Sequence, residues 1–181
     1  MSRFTIRTLH PDDAAPLQAF EQANRAWFER HIDRRPDDFY SVDGIAAHVA
    51  HFLGEHAQGR LHPCVIVDEQ GQLIGRVNLK DIDGQTHTAE VGYRIGQQQA
   101  GKGLATAALR HLIALAHDEW RLASLCAYAI DGNAASIRVL ERCGFVRGRA
   151  VPDIAVVEGH LVDGHAYALE LRAAGVDSIL L

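Results

Sequence analysis

An apolar run of the roughly 18 residues needed to span a bilayer is missing from the 181 residues of the chain, so no membrane helix is expected. The opening Met-Ser-Arg-Phe-Thr-Ile-Arg lacks the apolar centre of a signal peptide. Cysteine is scarce: Cys64, Cys126 and Cys143 stand apart in apolar surroundings with no paired spacing. Such an odd set reads as buried free thiols in a reducing, cytoplasmic protein rather than as a disulfide framework. Positive charge is short as well, with 18 Lys and Arg against 23 Asp and Glu. Direct nucleic-acid binding wants a basic face and is not expected. Histidine, at 11 residues, is not scarce. Yet the cluster His48, His51, His56 and His62 has no cysteine or second ligand pair at zinc spacing, and no metal is expected. Repeats, linkers and low-complexity segments are absent, so residues 1–181 are read as one domain of common size.

What is present is an ordered alternation of strand and helix patterns. Residues 4–9 alternate as a strand, and Pro11 with Asp12 and Asp13 suits the first turn of a helix carrying Leu17, Phe20 and Trp27 inward. A polar loop, 33–38, follows. A second helix begins near Ser41, with Ile45, Val49 and Phe52 on its apolar stripe. Strands are predicted over 62–67, 72–79, 87–95 and 122–130, a long helix over 104–120 and a short one over 134–143. A closing antiparallel pair takes 151–158 and 163–171, with Asp163-Gly164 as turn material. Residues 173–181 suggest no element. The sum is an α/β (α+β) domain with a mixed, largely antiparallel sheet of six to seven strands and about four helices.

The most informative stretch joins the fourth strand to the long helix: residues 95–105, Ile-Gly-Gln-Gln-Gln-Ala-Gly-Lys-Gly-Leu-Ala. Glycines turn sharply and admit close approach. A helix start leaves about four N–H groups unpaired and carries partial positive charge. Lys102 through Thr106 include no acid, although acids are favoured in a first turn. This is a site for phosphate or pyrophosphate. A ligand-free glycine turn is the alternative, and a P-loop is disfavoured because Gly-x-x-x-x-Gly-Lys-Ser/Thr does not occur.

Three segments together resemble the GNAT superfamily of acyl-CoA N-acyltransferases, its RimJ/RimL type above all, and the likeness runs over nearly the whole chain. They are Ala-Glu-Val-Gly-Tyr-Arg-Ile at 89–95, Gly-Lys-Gly-Leu-Ala-Thr at 101–106, and Asn-Ala-Ala-Ser-Ile-Arg-Val-Leu-Glu-Arg-Cys-Gly-Phe at 133–145. The resemblance implies a single GNAT-like domain, acetyl-CoA as cosubstrate and no metal. It implies pantetheine pairing along the backbone of Tyr93 and Ile95. Pyrophosphate would be held by Gly101, Lys102, Gly103, Leu104, Ala105 and Thr106, and Asn133 and Ser136 would face the cofactor arm. The loop motif fits in two registers. One uses Gln98 with Gly101 and Gly103; the other, which places glycine where the helix begins, uses Ala100, Gly103 and Ala105 and departs from the usual Arg or Gln at Ala100. Leu140 stands where many relatives carry a tyrosine as general acid.

The implied reaction is direct attack of a neutral amine on a thioester. Glu90 is the first candidate base, with His87, Asp81 and Glu158 as alternatives. A backbone N–H within 93–95 is the candidate oxyanion donor, and Ser136 the candidate donor to the departing thiolate. Cys126 and Cys143 read as packing residues. The acceptor is open: a protein N-terminus, an aminoglycoside, a polyamine or a free amino acid. Glu29, Asp33, Asp37 and Asp38 suggest a cationic one, unless they form a solvated charged loop. The partner is thus an amine substrate, for a monomer or homodimer. The competing class is a non-catalytic acyl-CoA-binding sensor.

Overall fold

The computed structural model describes residues 3–171, so the 173–181 tail lies outside the described residues. Among the described residues, seven strands form one sheet in the order β1-β2-β3-β4-β5-β7-β6. They are β1 (Phe4–Thr8), β2 (His62–Asp68), β3 (Leu73–Asp83), β4 (Thr88–Ile95), β5 (Ser124–Ile130), β6 (Val146–Val157) and β7 (His160–Glu170). Neighbours are antiparallel except β4 and β5, which run parallel across the connection made by the long helix. The helices are α1 (Ala14–Ala23), α2 (Arg25–Phe28), α3 (Val42–Ala57), α4 (Leu104–Asp118) and α5 (Ala134–Arg142). The mixed, mostly antiparallel sheet expected from the sequence is therefore the observed one. The first helical run is split at Asn24, whose side-chain amide donates to the Phe20 carbonyl at 2.9 Å and closes α1.

Side chains alternate across each strand, and the sheet buries both faces. Val77, Leu79 and Val91 lie beneath Leu109 and Leu112 of α4. Val65 packs on the other face against Leu17 and Phe20 of α1 and Ile45 and Val49 of α3. Each such fully buried side chain contributes roughly 1.5–3 kcal/mol. Ser41 caps α3 by accepting the Gly44 N–H at 2.9 Å.

Two expectations are corrected. The last hairpin turns at Glu158 and Gly159, with φ of 51° and 81°, and not at Asp163-Gly164. Two successive positive φ values give the twist that a two-residue hairpin needs. Gly164 lies inside β7, where a Cβ would come within 2.4 Å of the Ala129 carbonyl oxygen. Of the cysteines only Cys64 is fully buried, whereas Cys126 and Cys143 are half-buried. Burial pushes the Cys64 thiol up to about 12, which leaves it an inert packing group.

Candidate active site

The parallel pair β4–β5 is paired only from Thr88 to Glu90, against Ser124 to Cys126. Beyond Glu90 the two strands separate. The Gly96 N–H donates back to the Ile74 carbonyl at 3.0 Å. By alternation, Tyr93 and Ile95 turn their backbone groups the other way, into the gap that β5 leaves. The Ile95 carbonyl already accepts from the Trp27 indole at 3.1 Å, so Tyr93 presents the open backbone. A cavity of about 620 Å³ fills the wedge and reaches from Trp27 to Ser136.

At one mouth of the wedge sits the glycine turn. Gly101 and Gly103 have φ of 75° and 81°, a region that side chains with a Cβ rarely adopt. Gly103 is the N-cap of α4, has no side-chain cap, and is followed by a first turn without acids. The first N–H groups of α4 therefore point outward with partial positive charge and no internal partner. Gly101, Gly103, Leu104, Ala105 and Thr106 all lie on the cavity wall. Lys102 does not, and its ammonium sits 3.4 Å from Gln99 Oε1. Gln98 is exposed and off the wall, while Ala100 is on it.

Across the wedge stands α5. The Tyr93 hydroxyl is 2.8 Å from Ser136 Oγ and donates to the Ser136 carbonyl at 3.3 Å. Ser136 N–H in turn donates to Asn133 Oδ1 at 3.0 Å, so that amide oxygen caps the helix. Burial pushes the Tyr93 phenol up to about 12, although the Ser136 contact acts against it. Tyr93 is therefore a protonated donor at neutral pH. Sequence reasoning assigned it a backbone role only; nothing near residue 93 announces a side-chain partner 43 positions on. Leu140, at 1% exposure, is core and brings no polar group to the site.

The opposite face of β3 and β4 is polar. Lys80 stands across from Glu90, Asn78 from Gly92, and Arg76 from Arg94. Lys80 Nζ and Glu90 Oε1 form an ion pair on the cavity wall. His87, Asp81 and Glu158 do not line the cavity. Two arginines directly opposed would repel, and Glu21 of α1 stands between them. Its Oε2 accepts from Arg94 at 3.0 Å. Its Oε1 lies 3.1 Å from Arg76 Nε, an ion contact without hydrogen-bond alignment. Arg76 also reaches His48 Nε2 at 2.8 Å. Burial lowers Arg76 to about 9. Burial and then the neighbouring arginines lower His48 to about 3, leaving a neutral acceptor. None of this network was expected from the sequence.

Three of the four acids that suggested a cationic acceptor have partners. Glu29 and Asp37 both pair with Arg25, and Asp33 accepts the Val156 N–H. Asp38 is exposed and gives its carbonyl to Ser41. Among the described residues, no group of three or more His, Cys, Asp or Glu is placed to hold a metal ion. No helix among them is long and apolar enough to cross a membrane.

Residues 3–146 match the family described as Acetyltransferase (GNAT) domain. A probable N-acetyltransferase of Bacillus subtilis, YjcK, is 31% identical over 142 residues, covering 77% of this chain and 78% of its own. The ribosomal protein uS5-alanine N-acetyltransferase of Escherichia coli is 26% identical, with 89% and 84% covered. Among solved structures, RimL, a ribosomal L7/L12 α-N-protein acetyltransferase in complex with coenzyme A, superposes with a TM-score of 0.88 at 20% identity, covering 96% and 97%.

Proposed function

The chain belongs to the GNAT acetyltransferase family and is an acetyl-CoA-dependent N-acetyltransferase; we propose that its acceptor is the α-amine of a polypeptide N-terminus. The observation that carries the site is the wedge. One cavity is bordered by uncapped N–H groups at α4, by the free backbone edge at Tyr93, and by the Tyr93–Ser136 hydroxyl pair. Those donors fit the pyrophosphate, the amide-bearing arm and the sulfur of acetyl-CoA in that order along the wedge. The acceptor reading draws on the uS5-alanine enzyme of Escherichia coli, which acts on a protein alanine.

In this reading the backbone from Gly101 to Thr106 holds the pyrophosphate, and the positive helix end supplies the field. Tyr93 and Ile95 border the pantetheine arm, and Asn133 offers its amide N–H groups to it while its oxygen caps α5. Acetyl-CoA supplies an activated acyl group whose sulfur departs as a weakly basic thiolate. The Tyr93 hydroxyl, with Ser136 as its relay, donates the proton to that sulfur, filling the role left vacant at Leu140. A backbone N–H within 93–95 donates to the thioester oxygen. Glu90, held by Lys80, accepts the proton of the amine directly or through water. A pre-organised donor or base of this kind contributes on the order of 10²–10⁴ in rate.

The test is thiol release from acetyl-CoA with a library of N-terminal peptides beside aminoglycosides and polyamines. Peptides should turn over fastest, and Asn133→Ala should raise the KM for acetyl-CoA. Tight acetyl-CoA binding without turnover of any amine would instead identify a sensor.

A further inference from the structure

Charge on the acceptor side of the wedge is unbalanced. Arg35, Arg76 and Arg94 all border the cavity. The one carboxylate among them, Glu21, is fully buried and has both oxygens committed to Arg76 and Arg94. Glu90 and Asp33 are the only acids on the wall among the described residues. Glu90 is taken by Lys80, and Asp33 by the Val156 N–H. Arg35 makes no ion pair or hydrogen bond among the described residues; its guanidinium lies 4.0 Å from the centre of the Phe39 ring. His48 faces Arg76 and is neutral. With Lys80 and Glu90 cancelling, the local sum is three guanidinium charges against two carboxylates, buried Glu21 and exposed Asp33.

A half-buried guanidinium with no partner is costly unless an anion meets it. Stacking on Phe39 holds the planar fork in place while leaving its N–H edge free. A fixed fork is suited to a carboxylate gripped through two parallel bonds. The Arg35 side of the cavity lies on the sheet face carrying Arg76, Lys80, Glu90 and Arg94. The α4 turn proposed for the pyrophosphate lies on the other face, so this charge is separate from that phosphate site.

We infer that the acceptor amine carries a carboxylate, and that Arg35, backed by Arg94, binds it. This rests on reading the wedge as the acyl-CoA site. Two sources share the chemistry: a peptide with an acidic residue close to its free N-terminus, and a free α-amino acid. A polyamine, with charge of the wrong sign, is rejected by the same residues.

Two measurements test the inference independently. In the first, protein saturated with coenzyme A is titrated calorimetrically with N-acetyl-alanine, N-acetyl-alaninamide, N-acetyl-Ala-Glu-amide and N-acetyl-Ala-Gln-amide. In the second, thiol release from acetyl-CoA is followed with alanine, alaninamide, Ala-Glu-amide, Ala-Gln-amide and spermidine. A carboxylate partner should bind and react roughly 10- to 100-fold better than its neutral amide, the scale of one charge-assisted contact. Arg35→Gln should shrink that ratio to about 2-fold, and Arg35→Lys, which keeps the charge but loses the stacked fork, should fall between the two. Preference for Ala-Glu-amide identifies an acidic N-terminus, and preference for alanine a free amino acid. Equal binding of acid and amide, a preference for spermidine, or a ratio that survives Arg35→Gln overturns the inference. Absence of thiol release with every amine would remove the acetyltransferase reading alone, because the calorimetric ratio still decides whether the carboxylate site exists.

Discussion

The two faces of β3 and β4 are built from alternate residues of the same strands and follow opposite rules. On the α4 face, Val77, Leu79 and Val91 bury apolar area under leucines, and apart from the Tyr93 and Ser136 hydroxyls the groups proposed to meet the cofactor are backbone N–H and C=O. On the α1 face, Arg76 and Asn78 are only 6% and 8% exposed, and Arg76 is held by Glu21 and His48. The first face should tolerate replacement of one aliphatic residue by another of similar volume, since the cofactor contacts proposed there are largely main-chain. The second is a buried ion network, in which loss of one partner strands the others. In the proposed function, the acyl carrier meets the first face and the acceptor the second.

The contrast is broken most severely at Glu21. Glu21→Gln leaves Arg76 and Arg94 opposed without a counter-charge, and should cost about 3–5 kcal/mol, read as a fall in the urea midpoint at constant slope. A loss below about 1 kcal/mol would mean that the arginines are solvated rather than clamped. On the α4 side the largest single side-chain effect is expected at Tyr93. Tyr93→Phe removes the hydroxyl beside Ser136 and should lower kcat about 10-fold or more, with the KM for acetyl-CoA little changed. An unaltered kcat would show that the thiolate leaves without help.

The smallest effect is on acid stability. His48 titrates near 3 in the fold against an ordinary 6.5, because burial and the arginines disfavour its charged form. Below pH 6.5 the unfolded chain takes up a proton that the folded chain refuses, so this contribution is complete above 6.5 and fades as pH falls toward 3. The loss at pH 5 is at most about 2 kcal/mol. His48→Gln, which keeps an acceptor for Arg76, should flatten the stability profile between pH 6.5 and 5. An unchanged slope would assign the acid sensitivity to other groups.

The same contrast explains what the sequence disclosed. The α4 face is local: a strand, two glycines and a helix start within 18 residues (88–105) announce an anion site, and helical periodicity announces the leucines that cover it. Asn133 and Ser136 were suggested by the resemblance, and both line the cavity. The acceptor face is non-local. Glu21 meets Arg94 across 73 positions and Arg76 meets His48 across 28, and no pattern in either segment points to the other. Of the acids at 29–38, Glu29 meets Arg25 one helical turn away, a pairing legible in the sequence, whereas the Asp33 contact with the Val156 N–H is set by tertiary packing. For Tyr93 the sequence suggested a backbone role and gave no sign of the contact between its hydroxyl and Ser136. The Asp163-Gly164 pair read as a turn because its glycine marks a close backbone approach as well as a bend.

The central claim is that the open edge of β4 and the start of α4 together hold acetyl-CoA. Amide hydrogen exchange, compared with and without acetyl-CoA, tests it without any acceptor. The account predicts strong protection confined to residues 93–95 and 101–106, with smaller changes in α5 and none over β1 and β2. Protection elsewhere, or binding that leaves 101–106 exchanging as in the free protein, would contradict it.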